Sequence, residues 1–586
     1  MVGFEEAKKY EGNLSVEKRK KNGIYYTPEE IVEYIVTSVL KKHDILENPC
    51  PKILDMSCGC GNFLIYAYKF LYEIMLDKSD ELVNKYDDVR FKPENLKKYI
   101  LENCIYGCDI DEDAIYIFIN SIKSDLDMEK DIKLNIYVDD ALRKEWNMKF
   151  DYIFGNPPYI GHKMLTKEYK KFVMDKYSEV YKNKSDLYFC FYKRSVDYIK
   201  DDGVIAMITP RYFLESISAG DLRNYLKENT LITEMVDFMG TCVFSNIGVA
   251  GCIIKLIKNK KDGKNTVVNI YRKIRDILSY IKEKKINKNL GEIIENRDVF
   301  EKIIMTNEAL YQDWIIADKE DRDLYKKVES ISDIRLEDIV ESFQGIITGC
   351  DKAFIVDNSD ERIENINSNL LKKWIKSRDI KSYHINDNKK YLIYSNDIDD
   401  ENKYEYVLRE FIEPYKERLE NRRECIKGIR RWYDLQWGRE KNMFERIKVV
   451  YPYKAEENRF AIDYKNMYGS ADVYSFYIKD DFEEEYSCEY LIGILNSSLY
   501  DRYYKINAKK MSRGIYDYYP NKVLKMRIFK NQYYGKIEEL VKKIIEGYRQ
   551  IERKKYEESD YIHIYEEIEK YKKEIDLLVY KSILCK

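Results

Sequence analysis

The sequence predicts an α/β domain with a mixed, mostly parallel sheet, followed by a second domain of α+β type. A short apolar strand over 52–55 runs into a glycine-containing loop and then into an amphipathic helix over 64–76, the usual start of a parallel sheet. Further apolar strands with polar residues at their ends follow, as far as residue 257. The chain of 586 residues is long enough to form a complete second domain after this sheet.

The loop after the first strand suits a nucleotide ligand. It reads Asp55-Met-Ser57-Cys-Gly59-Cys-Gly61. Glycines in the first such turn let the backbone approach a nucleotide closely, at the carboxyl ends of the strands. The third glycine of a dinucleotide fingerprint is absent because Leu64 occupies its place, so a nicotinamide or flavin cofactor is disfavoured.

Three later strands also end in polar residues. The second strand ends in Asp109, an acid suited to holding two ribose hydroxyls; the third, over 133–138, is followed by Asp140 and Ala141, and the fourth covers 150–154. Taken singly, an aspartate after a strand is usually a turn former or a helix cap. Because the carboxyl ends of parallel strands meet at one edge of a sheet, four such ends in succession predict a shared ligand site.

The fourth strand leads into Asn156-Pro157-Pro158-Tyr159, which suits chemistry on an exocyclic amino group. An aromatic amine such as the 6-amino group of adenine is a poor nucleophile, so a catalyst must accept hydrogen bonds from its N–H groups. The Asn156 side-chain oxygen and the Pro157 carbonyl can accept them. The two prolines fix the backbone, and Tyr159 offers a flat face for stacking. A proline-rich turn without chemistry is the alternative interpretation, and the neighbouring strand ends favour the catalytic one.

With these motifs the sequence resembles the class I, S-adenosylmethionine-dependent DNA adenine methyltransferases, in the branch where a target-recognition domain follows the cofactor motifs. The resemblance covers nearly the whole chain and implies a Rossmann-like methyltransferase fold, S-adenosylmethionine as cofactor and no metal. It implies cofactor contacts from Tyr26, Thr27, Asp55, Ser57, Gly59, Asp109, Ile110, Asp140, Ala141 and Asn156, catalytic roles for Asn156, Pro157, Pro158 and Tyr159, and a clamp on a flipped base from Tyr159 and Phe244.

One departure from the family pattern is visible. Asp109 follows Asp55 by 54 positions, whereas roughly 20 is usual between the glycine loop and the ribose acid. We expect the segment 77–101 to be an inserted helix and loop.

The strings GIYYTP, DMSCGCGNF, GNPPYIGHK, ITPRYFLES and SFQGIITGCDKAF together resemble the solitary adenine methyltransferases of clostridia. This closer likeness implies an enzyme without an associated nuclease, acting on an adenine-rich asymmetric site of the CAAAAA type. The site specificity follows from the likeness alone, since no residue pattern in the chain encodes it.

The predicted domains are an N-terminal arm over 1–24, a methyltransferase domain over 25–300 and a DNA target-recognition domain with C-terminal helices over 301–586. The last contains two basic runs: 421–448 carries nine Lys or Arg against four acids, and 502–530 carries nine against one. Such runs can meet phosphates, although many basic runs are only solvated faces. The candidate DNA contacts in them are Arg430, Arg431, Arg439, Lys509, Lys510 and Arg513.

Composition agrees with a globular protein, and we expect it to bind double-stranded DNA as a monomer, without an obligatory protein partner. The net charge is −3, and hydrophobic residues make up 45% of the chain. No apolar stretch reaches the roughly 18 residues of a membrane span, and the start lacks the pattern of a signal peptide, so we expect a cytoplasmic, nucleoid-associated protein. The twelve cysteines are expected to be reduced, and Cys50 is interpreted as structural.

Two alternatives remain open at this stage. The same acceptor motif serves enzymes that methylate RNA or a glutamine amide in protein, although the large basic C-terminal region argues against them. A DNA-specificity module without catalysis is the other alternative, which the intact cofactor motifs disfavour.

Overall fold

The computed structural model describes residues 2–15, 17, 23, 27–125, 132–182, 184–242, 250–258, 263–275, 277–284, 289–511, 514–553 and 558–584. The chain divides into two compact units, Met1–Asp318 and Lys319–Lys586. Each unit has hydrophobic core clusters of its own.

The first unit contains a nine-stranded sheet in the order β3-β2-β1-β4-β5-β7-β6-β8-β9. Its strands are β1 (Ile53–Asp55), β2 (Ile105–Asp109), β3 (Asn135–Val138), β4 (Phe150–Gly155), β5 (Ile199–Pro210), β6 (Thr230–Cys242), β7 (Ala250–Lys258), β8 (Val267–Lys273) and β9 (Phe300–Thr306). Strands β1 to β5 pair in parallel, as do β6 and β8, whereas β7 is antiparallel to both of its neighbours and β9 is antiparallel to β8. The prediction of a mixed, mostly parallel sheet is confirmed.

Helices fill the connections between these strands. They are α1 (Val2–Asn13), α2 (Glu29–Leu40), α3 (Asn62–Asp77), α4 (Ser79–Tyr86), α5 (Pro93–Asn103), α6 (Glu112–Asp125), α7 (Lys167–Lys176), α8 (Tyr188–Tyr198), α9 (Gly220–Asn229), α10 (Ile277–Lys284), α11 (Leu290–Glu295) and α12 (Asn307–Asp313). The segment expected to be inserted between α3 and β2 forms α4 and α5.

The register of the parallel strands aligns their carboxyl ends. Asp55 at the end of β1 lies opposite Gly107 of β2 and Phe154 of β4, and Asp109 lies opposite Val138 of β3. All three residues of β1 are buried, so the strand that carries Asp55 is covered on both faces. The chain segments that leave β1, β2, β3 and β4 therefore meet at one edge of the sheet.

The second unit is built around two four-stranded sheets, in the orders β10-β20-β16-β18 and β11-β15-β12-β19, with the two-stranded pairs β13-β14 and β17-β21. Its strands are β10 (Val340–Gln344), β11 (Ile355–Asp357), β12 (Leu371–Ile375), β13 (Ile380–Lys381), β14 (His384–Ile385), β15 (Lys390–Ile393), β16 (Lys448–Pro452), β17 (Lys454–Ala455), β18 (Ala461–Asp463), β19 (Tyr468–Gly469), β20 (Val473–Ile478) and β21 (Tyr516–Asp517). Strands and helices alternate irregularly here, as expected for an α+β domain.

The helices of the second unit include a long C-terminal pair. They are α13 (Lys319–Glu329), α14 (Leu336–Ile339), α15 (Asp351–Phe354), α16 (Glu405–Val407), α17 (Lys416–Glu420), α18 (Arg423–Ile426), α19 (Cys488–Leu495), α20 (Ser498–Asn507), α21 (Pro520–Val523), α22 (Tyr534–Glu552) and α23 (Glu558–Leu584). Gly493 of α19 lets α22 approach closely, since a Cβ there would lie 2.6 Å from a methyl of Ile537. Among the helices described, we find no helix with the length and apolar character needed to cross a membrane.

Candidate cofactor and substrate site

A cleft lies at the carboxyl ends of β1 to β4. Its volume is about 1100 Å³, counted together with the solvent at its mouth. Its lining includes a residue from each strand end that the sequence singled out, namely Asp55, Gly59, Asp109, Asp140 and Asn156. One cavity therefore reaches from the glycine loop to the start of the Asn-Pro-Pro-Tyr segment.

The glycine loop is shaped by its own hydrogen bonds and by two left-handed glycines. The Ser57 amide donates to the Asp55 carboxylate at 2.9 Å, and the Gly59 amide donates to Asp109 Oδ2 at 2.8 Å. Gly59 and Gly61 have φ of +50° and +84°. A Cβ at Gly61 would lie 2.0 Å from the ring of Phe118, so this position at the start of α3 requires glycine.

Two carboxyl groups face this cleft, the buried Asp55 and the half-buried Asp109. Burial, with a further contribution from the charge of Asp109, raises the pKa of Asp55 to about 8, against the hydrogen bond from Ser57. Burial also raises the pKa of Asp109. A cationic ligand would favour the ionised form of both groups. The arrangement therefore fits a cofactor that carries a positive charge, such as a sulfonium or an ammonium group.

Asp140 is held by the helix that packs beside it. Its carboxylate accepts the Tyr169 hydroxyl at 3.0 and 3.1 Å and the Leu142 amide at 3.0 Å, and Arg143 Nε lies 3.2 Å away. Burial and the nearby Asp140 charge raise the pKa of Tyr169, which also lines the cleft. Ala141 is buried beside Asp140 in the same lining.

Ser57 in the glycine loop and Ile110 after Asp109 also line the cleft. Ile110 follows Asp109 and is 63% exposed, so it offers an apolar surface at the cleft mouth. Ser57 Oγ lies 3.3 Å from the Asn156 carbonyl oxygen, and this contact links the glycine loop to the Asn-Pro-Pro-Tyr segment.

The side chain of Asn156 is held at both ends. Its Nδ2 donates to Thr27 Oγ1 at 3.0 Å, and its Oδ1 accepts the hydroxyl of Tyr159. Gly155 before it has φ of +156°, and a Cβ there would lie 2.9 Å from Asp55 Oδ1. This close approach brings the end of β4 directly against the end of β1.

Tyr159 is placed differently from the expected stacking platform. Its ring is 9% exposed and lies edge to face with Tyr188, with 6.2 Å between the ring centroids. Its hydroxyl lies 3.3 Å from the Ile208 carbonyl oxygen in addition to its bond to Asn156. In this conformation the tyrosine hydroxyl takes one acceptor position of the Asn156 oxygen, and its ring packs against Tyr188.

The structure adds residues that sequence reasoning missed. Tyr10 of α1 lines the cleft, and its hydroxyl donates to the Asp111 carboxylate at 2.9 and 3.0 Å. Asp186 accepts the Ile160 amide at 3.0 Å, and burial raises the pKa of Asp186 to about 6. Asp186 thereby fixes the segment after Tyr159. The Ser-Asp-Leu-Tyr string after a lysine-rich loop is the sequence signal that could have marked it.

Three predicted site residues, Tyr26, Phe244 and Arg513, lie outside the described residues. Pro157 and Pro158 lie in the Asn-Pro-Pro-Tyr segment that follows β4, and Pro158 lines the cleft. Among the described residues, no group of three or more His, Cys, Asp or Glu side chains is placed to hold a metal ion.

The basic residues of the second unit fall into two kinds. Arg431 is engaged within the fold, since its guanidinium binds Asp434 at 2.7 Å and donates to the Ile398 carbonyl and the Tyr433 hydroxyl at 2.8 Å each. Arg430 instead has its guanidinium carbon 5.9 Å from the Trp437 ring centroid. An Arg431 contact with DNA would have to replace internal bonds.

The other basic candidates lie at the surface or partly buried. Arg439 is exposed, has φ of +60°, and reaches Gln344 Oε1 at 3.5 Å. Lys509 and Lys510 are half-buried, and their backbone pairs with the strand over Tyr516–Asp517. All three remain candidates for contacts with a polyanion.

Comparisons with known proteins match both units. Residues 103–244 match the family model of the Eco57I restriction-modification methylase, and residues 372–528 match the TaqI-like C-terminal specificity domain. The chain is 26% identical over 299 residues to the type II restriction enzyme and methyltransferase RM.Eco57I of Escherichia coli, a match covering 43% of this chain and 30% of that protein.

Two shorter relatives match over more of their length. The type II methyltransferase M.BstVI of Geobacillus stearothermophilus is 25% identical, over 70% of this chain and 74% of the relative. The type II methyltransferase M.BanIII of Aneurinibacillus aneurinilyticus is 23% identical, over 83% of this chain and 86% of the relative.

Solved structures match the fold. The type IIL restriction-modification enzyme MmeI in complex with DNA aligns with a TM-score of 0.63 at 16% identity, over 97% of this chain and 77% of that one. A DrdV–DNA complex aligns with a TM-score of 0.52 at 15% identity, over 90% and 57%.

The sheet, its strand-end cleft and these structural matches define the class: an α/β fold of the methyltransferase kind, carrying a C-terminal specificity domain. Within that class, the chain is similar to the type II restriction-modification methyltransferases of the Eco57I type, and its second unit is similar to the TaqI-like specificity domain.

Proposed function

We propose that this chain is a site-specific DNA methyltransferase that transfers a methyl group from S-adenosylmethionine to the 6-amino group of an adenine flipped out of duplex DNA. The single observation that carries the proposal is the continuous cleft that joins the glycine loop at Gly59 to Asn156. The names of the relatives, type II methyltransferases, support the reaction class.

The residues of the cleft fit the cofactor. When bound, S-adenosylmethionine supplies a methyl group on a positively charged sulfur, with thioether sulfur as the leaving group. We propose that Asp55 and Asp109 offer carboxylates to its positive charge and its ribose hydroxyls, and that Asp140 and Ala141 contact its adenine ring; all four residues line the cleft. Thr27 orients Asn156 through the bond to Nδ2.

The substrate amine would be held by the Asn156 oxygen and the Pro157 carbonyl. Two acceptors fixed before the reaction stabilise the positive charge that develops on the amine nitrogen. An amide oxygen can accept two hydrogen bonds, so the Asn156 oxygen can hold the Tyr159 hydroxyl and the substrate amine together. Because the Tyr159 ring packs against Tyr188 in this structure, stacking on the base requires the ring to turn towards the cleft, and Phe244 is proposed as the second aromatic.

The energetics of base flipping are consistent with such a clamp. Extruding a base costs a few kcal/mol, and stacking on an aromatic side chain returns roughly 1–3 kcal/mol per base. Contacts with the DNA backbone would come from the second unit, with Arg430, Arg439, Lys509, Lys510 and Arg513 as the proposed residues. For Arg431 we propose that the bond with Asp434 is its main role.

The likeness to solitary clostridial enzymes supports two finer proposals. The chain would act without a nuclease partner, and it would modify an adenine-rich asymmetric site of the CAAAAA type. Sequencing with modified-base detection, on host DNA from cells that express the wild type or Asn156→Ala, tests both the base and its context. Modification of one strand of such a site, absent with the variant, is expected; a different context would overturn the site assignment.

Transfer of isotopically labelled methyl groups to unmodified duplex DNA tests the main proposal. We expect label in DNA, recovered after digestion as N6-methyladenine, and none with Asn156→Ala. RNA and a glutamine-containing peptide serve as competing substrates. Label in either of these, in another nucleoside such as N4-methylcytosine, or in no substrate while cofactor binding is intact would overturn it.

A further inference from the structure

A cluster of two thiols and a lysine lies at the amino ends of β1 and β2, the opposite edge of the sheet from the cleft. Cys50 precedes β1 by three residues, and Cys104 directly precedes β2. The Ile53 amide donates to the Cys104 carbonyl at 2.8 Å, so the two strand starts are hydrogen-bonded neighbours. The proposed methyl-transfer reaction uses none of these groups.

Polar groups surround the sulfur of Cys50. Lys52 Nζ lies 3.2 Å from it, and the Asn103 carbonyl oxygen lies 3.7 Å from it. The Tyr99 hydroxyl and the Cys104 thiol are further polar neighbours of this sulfur. A cation and several donors around one sulfur stabilise the thiolate over the thiol. The sulfur of Cys50 thus lies beside a cation and a second thiol.

The other charged groups around the pair favour a negative charge on Cys50 and disfavour one on Cys104. Arg90 lies over the Tyr99 ring at 5.4 Å and adds positive charge near Cys50. Lys52 Nζ lies over the Tyr106 ring at 5.7 Å. The Asp151 carboxylate, which accepts the Lys52 amide at 2.7 Å, disfavours a negative charge on Cys104.

The pKa of Cys50 is lowered, whereas the pKa values of the other cysteines with a resolved shift are raised. The hydrogen bond from Cys104, with further ones from Tyr99 and Lys52, lowers the pKa of Cys50 to about 5 against the effect of burial. The hydrogen bond to Cys50 and burial raise the pKa of Cys104. Burial likewise raises the thiol pKa of the other cysteines with a resolved shift, which are Cys58, Cys108, Cys190, Cys252 and Cys488.

We propose that Cys50 is a peroxide-sensitive modification site and that Cys104 is its resolving thiol, so that oxidation joins the starts of β1 and β2 by a Cys50–Cys104 disulfide. Cys50 is partly exposed, so a small hydroperoxide can reach it, whereas Cys104 is buried against it. A low-pKa accessible thiolate next to a second thiol is the arrangement found in reversible redox sites. The proposal differs from the sequence-based interpretation of Cys50 as a structural residue.

The chemistry balances with a hydroperoxide as the oxidant. The Cys50 thiolate attacks the terminal peroxide oxygen; the S–O bond forms, the O–O bond breaks, and the leaving oxyanion takes a proton to become water or an alcohol. The Cys104 sulfur then attacks the Cys50 sulfur, whose S–O bond breaks, and the Cys104 proton leaves with the hydroxide as water. The two thiols lose two electrons and two protons in total, and a dithiol reductant reverses the change.

Peroxide treatment of the full chain, followed by peptide-resolved mass spectrometry, tests the pair directly. We expect a peptide cross-link between Cys50 and Cys104 that dithiothreitol removes. In Cys104→Ser, Cys50 should instead accumulate as a sulfenic acid trapped by dimedone, and in Cys50→Ser neither product should form. Cys50 left as a free thiol, or oxidised in the wild type without the cross-link, would overturn the proposal.

A pH profile of alkylation needs no substitution and so stays informative if a variant fails to fold. With iodoacetamide, an ordinary cysteine slows about tenfold from pH 7 to pH 6, because its thiolate fraction falls tenfold. Cys50 in the wild type should change less than twofold over that interval. In Lys52→Gln its rate should fall more steeply. A tenfold fall at Cys50 in the wild type would show that the thiolate is not stabilised and would refute the proposal.

Discussion

The cofactor cleft of the first unit and the basic runs of the second unit place their functional groups by different physical means. In the cleft, the backbone does the placing: parallel register brings Asp55, Asp109 and the residues after β3 and β4 to one edge. In the basic runs, the loop conformation and the side-chain rotamers decide which groups pair, and Arg431 forms an ion pair with Asp434. Strand ends therefore specify a site more tightly than local charge does.

The largest expected effect is a loss of methyl transfer on substitution of Asn156, in the cleft at the strand ends. Replacing Asn156 by Ala removes one of the two proposed acceptors for the substrate amine, which should lower the methyl-transfer rate by about 10²–10³-fold or more. The cofactor dissociation constant, measured by calorimetry, should stay within about twofold. Thr27→Val is the matched variant, because it removes only the bond that orients Asn156; we expect a smaller loss.

Full activity in Asn156→Ala would mean that this strand end is only a turn, and the contrast between the two units would disappear. Loss of cofactor binding together with activity would instead point to a collapsed cleft.

The pH dependence of cofactor binding sharpens the same comparison. Because the pKa of Asp55 is raised to about 8, this group is protonated in the free protein at pH 6 to 7, and a cationic cofactor must drive it to ionise. Affinity should therefore increase with pH by up to about tenfold per unit and level off above pH 8. Calorimetric titrations at pH 6.5, 7.5 and 8.5 check this.

Stability of the free protein should change in the opposite sense. The raised pKa means that the folded state keeps a proton that the unfolded state releases, so the stability falls as pH rises from the ordinary carboxyl range towards 8 and levels off above it. Asp55→Asn should remove this contribution in thermal unfolding. The same pH dependence in wild type and Asp55→Asn would assign it to other groups.

Tyr159 separates the roles of ring and hydroxyl. Tyr159→Ala loses the stacking face, and at roughly 1–3 kcal/mol per stacked base the catalytic efficiency should fall about 5–150-fold. Tyr159→Phe keeps the ring and removes only the hydrogen bonds of the hydroxyl to Asn156 and Ile208, so its turnover should stay within about threefold. A loss in the phenylalanine variant as large as in the alanine variant would give the hydroxyl a direct role that we do not assign to it.

The smallest expected effect distinguishes the two kinds of arginine. Arg430→Ala should weaken DNA binding a few-fold and flatten the slope of log affinity against log salt by about 0.9 for one lost phosphate contact. Arg431→Ala should leave that slope unchanged and lower the unfolding midpoint by about 2–4 °C, since it leaves the buried Asp434 without its ion pair. Equal effects on the salt slope would mean that Arg431 exchanges Asp434 for phosphate.

The sheet and the residues at its strand ends follow from local patterns in the sequence. Apolar strands, a glycine loop and polar strand ends suffice to order β1 to β4, and the structure brings Asp109 onto the Gly59 amide in spite of the inserted helices α4 and α5. Parallel topology supplies the missing step, because it fixes which ends of the strands meet.

Side-chain partners over long separations could not be derived in this way. Tyr169 on Asp140 and Tyr10 on Asp111 depend on how helices pack on the sheet, which no local pattern encodes. The bond from the Tyr159 hydroxyl to Asn156 depends on a rotamer chosen by the core around Tyr188. The pairing of Arg431 with Asp434 likewise reflects a loop conformation that charge counting ignores.

The position of β4 beside β1 has a consequence for the order in which the chain can mature. The glycine loop emerges from the ribosome about a hundred residues before Asn156, yet the cavity between them exists only once β4 has docked on the open edge of β1. A nascent chain that stops short of residue 150 has an unpaired strand at that edge and half a binding site. Cofactor capture must therefore wait for synthesis to pass this strand, and fragments cut before it should neither retain the cofactor nor stay monodisperse.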